Sequence, residues 1–176
     1  MNERMCGTMF CQDLFADLYT ASVYDLDWEM LSREYDGVIF DIDNTLVPHG
    51  APADERAMGL FRRLRGLGIK TMLVSNNGEA RVKPFAGQLG TDYVHKAGKP
   101  KRKGYEKAAE RMGLPAGRIL FVGDQIFTDI WGANRAGMRT VLTEPVDPST
   151  DEIQIVIKRW FEKPFRRTRK SGSPKT

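Results

Sequence analysis

Short apolar runs alternate with longer amphipathic stretches along most of this chain. Val38-Ile39-Phe40, Ile69 to Val74, Tyr93-Val94, Arg118 to Val122 and Met138 to Leu142 have the length and content of strands buried on both faces. Between them, apolar residues recur at helical spacing. Asp54 to Leu67 sets Met58, Phe61, Leu64 and Leu67 on one side and stops at Gly68. Glu79 to Leu89, Lys101 to Met112 and Phe127 to Ala136 predict three further helices, the first of them perturbed by Pro84. Asp27 is placed to cap a short helix, Trp28 to Glu34. Residues 1–26 are mixed, although Leu14, Phe15, Leu18 and Tyr19 fit one helical face. Strand-helix alternation predicts an α/β fold, a three-layer sandwich with a mainly parallel five-stranded sheet.

Sites in such sheets form beyond the carboxyl ends of the strands, and polar groups stand at those ends here. The first strand runs into Asp41 and Asp43. On extended backbone, side chains two apart point the same way, so both acids can face one site. Two carboxylates that close repel each other unless a cation lies between them, and Mg²⁺ suits oxygen ligands of this kind. A strand followed by an Asx-rich turn is the plainer alternative for the same residues. The later strand ends decide against it, because each supplies a part that phosphoryl transfer needs. Ser75 and Asn76 can donate to phosphoryl oxygens. Lys99, in Gly98-Lys99-Pro100, brings positive charge to a transition state that gathers negative charge. Asp124 can complete a Mg²⁺ shell, while Asp129 can bind the metal through water or hold Lys99. Asp41 is the candidate nucleophile, forming an aspartyl-phosphate, and Asp43 the candidate acid and then base.

Composition narrows the setting. The 176 residues suit one domain with a sizeable core and short tails. No apolar run approaches a membrane span, and the N-terminus lacks the layout of a secretory signal, so a cytoplasmic protein is expected. Cys6 and Cys11 are the only cysteines, with His49 and His95 far off in sequence, which favours two free thiols over zinc or a disulfide.

The four strand-end pieces, in this order, resemble the haloacid dehalogenase superfamily of phosphohydrolases. They match as D-I-D-N-T at 41–45, Ser75, Lys99 in A-G-K-P, and Asp124 with Asp129 in G-D-Q-I-F-T-D. The resemblance covers roughly 36–145. It implies a Rossmann-like core, a Mg²⁺-dependent phosphatase, metal ligation by Asp41, Asp124 and the Asp43 main-chain carbonyl, and substrate contacts from Thr45, Ser75, Asn76 and Lys99. More narrowly, S-V-Y-D-L-D-W-E-M-L at 22–31 and V-S-N-N at 74–77 resemble the small subclass III members of YqeG type, which are similar to phosphatidylglycerophosphate phosphatases. Asp43 argues against a dehalogenase, whose pattern lacks that acid. The motif separations of 34, 24 and 25 residues each hold about one strand-helix unit and leave no room for a cap domain. An open site of that kind suits a bulky or lipid-borne phosphate ester.

The expected organisation is a helical lead-in (1–35), the hydrolase core (36–145), a packing segment (146–162) and a basic, disordered tail (163–176). The net charge of +4 belongs to that tail, whose Lys163, Arg166, Arg167, Arg169, Lys170 and Lys175 stand without an acid, leaving the rest near −2. A solvated terminus is the plain expectation. An anionic membrane surface is the next partner, with Trp160, Phe161 and Phe165 alongside the charges and the enzyme peripheral to the bilayer. The rival function is a non-catalytic binding or assembly factor that keeps the fold and contacts nucleic acid through the tail. It ranks below the phosphatase because the catalytic motifs are complete, and the aromatics of the tail show no RNA-binding sheet motif.

Overall fold

The computed structural model describes residues 12–150 and, beyond them, residues 155 and 160–162. The elements in chain order are β1 (Leu18–Thr20), α1 (Trp28–Leu31), β2 (Gly37–Phe40), α2 (Glu55–Gly66), β3 (Lys70–Val74) and α3 (Glu79–Leu89). Then follow β4 (Asp92–Val94), α4 (Arg102–Met112), β5 (Ile119–Gly123), a π-helical segment (Ile126–Ile130), α5 (Trp131–Arg135) and β6 (Arg139–Thr143). The expectations for Cys6 and Cys11, for most of residues 153–161 and for the basic tail lie outside the described residues.

All strand pairs are parallel, in the order β1-β6-β5-β2-β3-β4. The sheet therefore has six strands rather than five. The extra one is β1, which pairs Leu18 to Val141 and Thr20 to Thr143 along the edge of β6. The helical face expected across Leu14, Phe15, Leu18 and Tyr19 does not form there, because free donors and acceptors on β6 draw Leu18–Thr20 into the ladder.

Alternate residues of the central strands sort into two cores, as a period of two requires. Val38, Phe40, Leu73, Leu120 and Val122 face one layer, packed by Trp28, Phe61, Leu64, Val82 and Phe85 from α1, α2 and α3. Ile39, Met72, Val74, Ile119 and Phe121 face the other, packed by Tyr105, Ala108 and Met112 from α4 and Ala133 from α5. Phe40 sits at the centre of the first layer, 5.9 Å edge-on to Trp28 and 5.2 Å from Phe61. Phe40→Ala is expected to cost about 3–5 kcal/mol of folding stability, measured by urea titration, through lost burial and the cavity left behind.

Two predicted helices differ in detail. Helix α3 runs unbroken through Pro84, which sits on its exposed side at mid-length and forfeits the bond to the Ala80 carbonyl. The helix expected over Phe127 to Ala136 begins instead as a π turn, in which Ile130 N donates to the Gln125 carbonyl. No cap domain interrupts the described core: only residues 41–54 separate β2 from α2, and 75–78 separate β3 from α3.

Candidate active site

The chain runs outward from β2 to β3 and β4, then crosses back to add β5 and β6 on the other side. Such a switch in direction opens a crevice at the carboxyl ends of the two central strands. Asp41 follows β2 and Asp124 follows β5, and the two strands are direct neighbours, Phe40 opposite Val122. Asp41 N donates to the Val122 carbonyl, so the ladder carries on one residue past the strand and fixes the backbone of Asp41.

Around this point the structure brings together residues far apart in sequence. The Lys99 ammonium donates to Asp41 Oδ1 at 2.6 Å and to Asp129 Oδ1 at 2.7 Å. Side-chain exposure is only 5% for Lys99, 9% for Asp41 and 1% for Asp129. Asp129 is held in turn by Gln125 N, which donates to its Oδ2 at 3.1 Å, so the π turn aims this carboxylate at the lysine. Gly123 is needed beside it, because a Cβ there would lie 2.5 Å from Asp129 Oδ2. Beneath the lysine, Tyr105 is buried against Phe121 at 5.1 Å and donates to the Thr128 carbonyl at 2.5 Å.

Asp41, Asp124 and Asp129 each offer an oxygen within 4.8 Å of the others, and all three are buried. Three carboxylates against one ammonium leave an excess of negative charge in a dry place. Burial, and then Asp129 and Asp124, push the Asp41 carboxyl well above the usual range, with Lys99 opposing them. For Lys99, burial works against its charge, but Asp129 and Asp41 more than offset it and the ammonium is held more firmly than in water. The donor set of hard oxygens is one that fits Mg²⁺.

The other expected residues fall as follows. Asp43 lies outside the three-carboxylate cluster, where its side chain accepts from Gly50 N at 2.8 Å, Arg81 Nη2 at 3.0 Å and the Asn77 amide. Asp129, expected to bind a metal through water or to hold Lys99, accepts from the Lys99 ammonium and lies within reach of Asp41 and Asp124. Thr45 donates its hydroxyl to Asp124 Oδ1 at 3.2 Å. Asn76 brackets the backbone of Lys99, accepting from its N at 2.7 Å and donating to its carbonyl at 3.2 Å. These bonds tie Thr45 to Asp124 and Asn76 to Lys99. Ser75 is buried at the end of β3, its Oγ accepting from Asn77 N at 3.2 Å and keeping its own proton to donate. Asn77, Arg81, Gln125 and Tyr105 escaped the sequence reading. For Asn77 and Arg81 a signal existed, since Asn77 follows Ser75 by two residues and Arg81 lies in the first turn of the helix that comes next.

Comparison with known proteins agrees with this geometry. A family model described as haloacid dehalogenase-like hydrolase matches residues 52–137, a range that takes in Ser75, Lys99, Asp124 and Asp129. The chain is 38% identical over 135 residues to "Probable phosphatase YqeG" of Bacillus subtilis, covering 76% of this chain and 78% of that one. It is 30% identical over 172 residues to "Phosphatidylglycerophosphate phosphatase 1, chloroplastic/mitochondrial" of Arabidopsis thaliana, of which it spans 47%. A crystal structure of a HAD-superfamily hydrolase from Ehrlichia chaffeensis superposes with a TM-score of 0.52 at 14% identity, covering 74% of this chain and 97% of that one, which shows the shared fold. Sequence, fold and the arrangement of acids thus agree: the chain belongs to the haloacid dehalogenase-like hydrolases, among their YqeG-type phosphatases.

Proposed function

We propose that this phosphatase is Mg²⁺-dependent, works through an aspartyl-phosphate on Asp41, and acts on a bulky phosphate monoester carried by a lipid, of which phosphatidylglycerophosphate is the leading candidate. The observation that carries the reading is the cluster of Asp41, Asp124 and Asp129 around Lys99 at the open end of the sheet. Lys99 occupies Oδ1 of Asp41, which leaves Oδ2 to attack phosphorus as the ester P–O bond breaks. Asp43 gives its proton to the departing oxygen. It then takes one from the water that cleaves the aspartyl-phosphate, returning free Asp41 and inorganic phosphate. Ser75 and the Lys99 ammonium hold the phosphoryl oxygens in line. Asp41, Asp124 and the Asp43 main-chain carbonyl would hold the cation, Asp129 supporting it from beside Lys99. When bound, Mg²⁺ neutralises the phosphoryl charge.

The lipid assignment draws on three things. The plant relative bears the name of a lipid phosphatase. The described core has no cap to enclose a small substrate. Trp160 and Phe161 are 64% and 57% exposed, and the six basic residues of 163–176 follow them directly. Each such charge near anionic lipid contributes about 1 kcal/mol, so the protein would sit peripherally on the cytoplasmic face of a membrane. No described helix is long and apolar enough to cross one.

The test is phosphate release from a panel of esters. Phosphatidylglycerophosphate in anionic vesicles should be hydrolysed with kcat/KM at least about tenfold above that for sugar phosphates, and the advantage should shrink with added salt. Equal rates across the panel, indifferent to salt, would remove the lipid assignment and leave the phosphatase.

A further inference from the structure

Asp43 accepts hydrogen bonds at both oxygens, so it must take up a proton and let one of these donors go before it can serve a leaving group. Both of its oxygens are occupied, Oδ1 by Gly50 N at 2.8 Å and Arg81 Nη2 at 3.0 Å, Oδ2 by the Asn77 amide. Two of those donors come from the start of α3. Asn77 stands just before the N-cap Gly78, and Arg81 lies in the first turn. Arg81 also donates to the Ala51 carbonyl at 2.6 Å and lies 5.1 Å over the Phe85 ring, tying the 44–54 loop to the helix.

This is not an ordinary surface ion pair. The two side chains are 24% and 12% exposed, and Nε of the same guanidinium is buried without an acceptor. An orphaned donor of that kind costs about 1–3 kcal/mol, which a pair kept for stability alone would be expected to avoid. The arrangement spends it to fix one carboxylate at the mouth of the site. The same short stretch also sets the lysine, since Asn76 brackets the Lys99 backbone. Residues 75–81 thus frame the lysine and the acid relative to each other.

We propose that Arg81, with Asn77, is a positioning residue for Asp43, and that through Asp43 it determines how well the enzyme cleaves esters with poor leaving groups. The proposal rests on the reading of Asp43 as the proton donor. An alkoxide cannot depart without a proton, whereas a dinitrophenolate can. A misaimed Asp43 therefore harms the first class and spares the second.

The experiment compares hexyl phosphate with dinitrophenyl phosphate, using the full chain with Mg²⁺ and five variants: Arg81→Ala, Arg81→Lys, Asn77→Ala, Asp43→Asn and the double variant Asp43→Asn/Arg81→Ala. Arg81→Ala should lower kcat for hexyl phosphate by about 10–100-fold and for dinitrophenyl phosphate by less than about threefold, with KM unchanged. Arg81→Lys, which keeps the charge but not the fork of donors, should recover part of the loss. In the Asp43→Asn background, Arg81→Ala should have no further effect. Equal losses on both substrates, a change in KM alone, or additive losses in the double variant would each overturn the proposal. Should Arg81→Ala fail to fold, Asn77→Ala is judged by the same substrate ratio and decides. If Asp43→Asn itself slows both substrates equally, the proton-donor reading is what fails; if it is selective and Arg81→Ala is not, only the positioning role does.

Discussion

Asp41→Asn is expected to lower phosphate release from an aryl phosphate by at least about 10³-fold, because the neutral amide oxygen is far too weak a nucleophile to form the acyl phosphate. The substitution is nearly isosteric, and Lys99 keeps Asp129 at 2.7 Å as a partner. The protein should therefore stay folded. Removing a carboxyl that burial, Asp129 and Asp124 all disfavour should leave the metal-free melting temperature unchanged or higher. Two measurements read the result: steady-state phosphate release, and mass spectrometry of the acid-quenched enzyme, which should lose the phosphorylated species. A variant within tenfold of the parent would take the nucleophile away from Asp41.

Chelation of divalent cations should abolish activity, and Mg²⁺ should restore it and stabilise the fold. At about 100 times its dissociation constant a ligand adds roughly 2.7 kcal/mol. For a domain of this size that is roughly 5–10 °C in melting temperature. The pH dependence has a definite sign. The Asp41 carboxyl is raised in the folded chain, first by burial and then by Asp129 and Asp124. The native state therefore binds this proton more tightly than the unfolded state, and without a cation the group favours folding at low pH and costs stability as pH climbs past the ordinary carboxyl range. A bound cation requires the ionised form and reverses that cost. The gain in melting temperature on adding Mg²⁺ should accordingly grow from acid to neutral pH. Asp124→Asn should reduce it at every pH, since Asp124 is buried in the cluster with Thr45 donating to it. A gain of the same size at acid and neutral pH would count against ligation by this cluster.

These two effects concern residues that the chain announces openly. Asp41 and Asp124 each end a short apolar run, and a strand buried on both faces must deliver its next polar residue to the sheet edge, whatever the rest of the fold does. Ser75 is visible for the same reason, and Lys99 through its place in Gly98-Lys99-Pro100. The sixth strand was not legible. Leu18–Thr20 carries no period of its own, and it became a strand because β6 offered an unpaired edge. The place of Asp129 was legible only in part: holding Lys99 was one of its two readings, while the π turn after Gln125 that carries it there was not visible.

By itself, then, the sequence determined the layered α/β plan, the strand ends where chemistry gathers, and the identity of the central acids, because periodicity and strand termination are local properties. Only the tertiary structure decided who holds whom. That Asn77 and Arg81 occupy Asp43, that Asn76 holds the Lys99 backbone, and that Thr45 turns to Asp124 all depend on how α3 and the 44–54 loop pack against the sheet. A side-chain hydrogen bond needs its donor within about 3 Å of the acceptor. Distances of that order between residues some twenty to eighty apart are set by packing, and no local pattern encodes them.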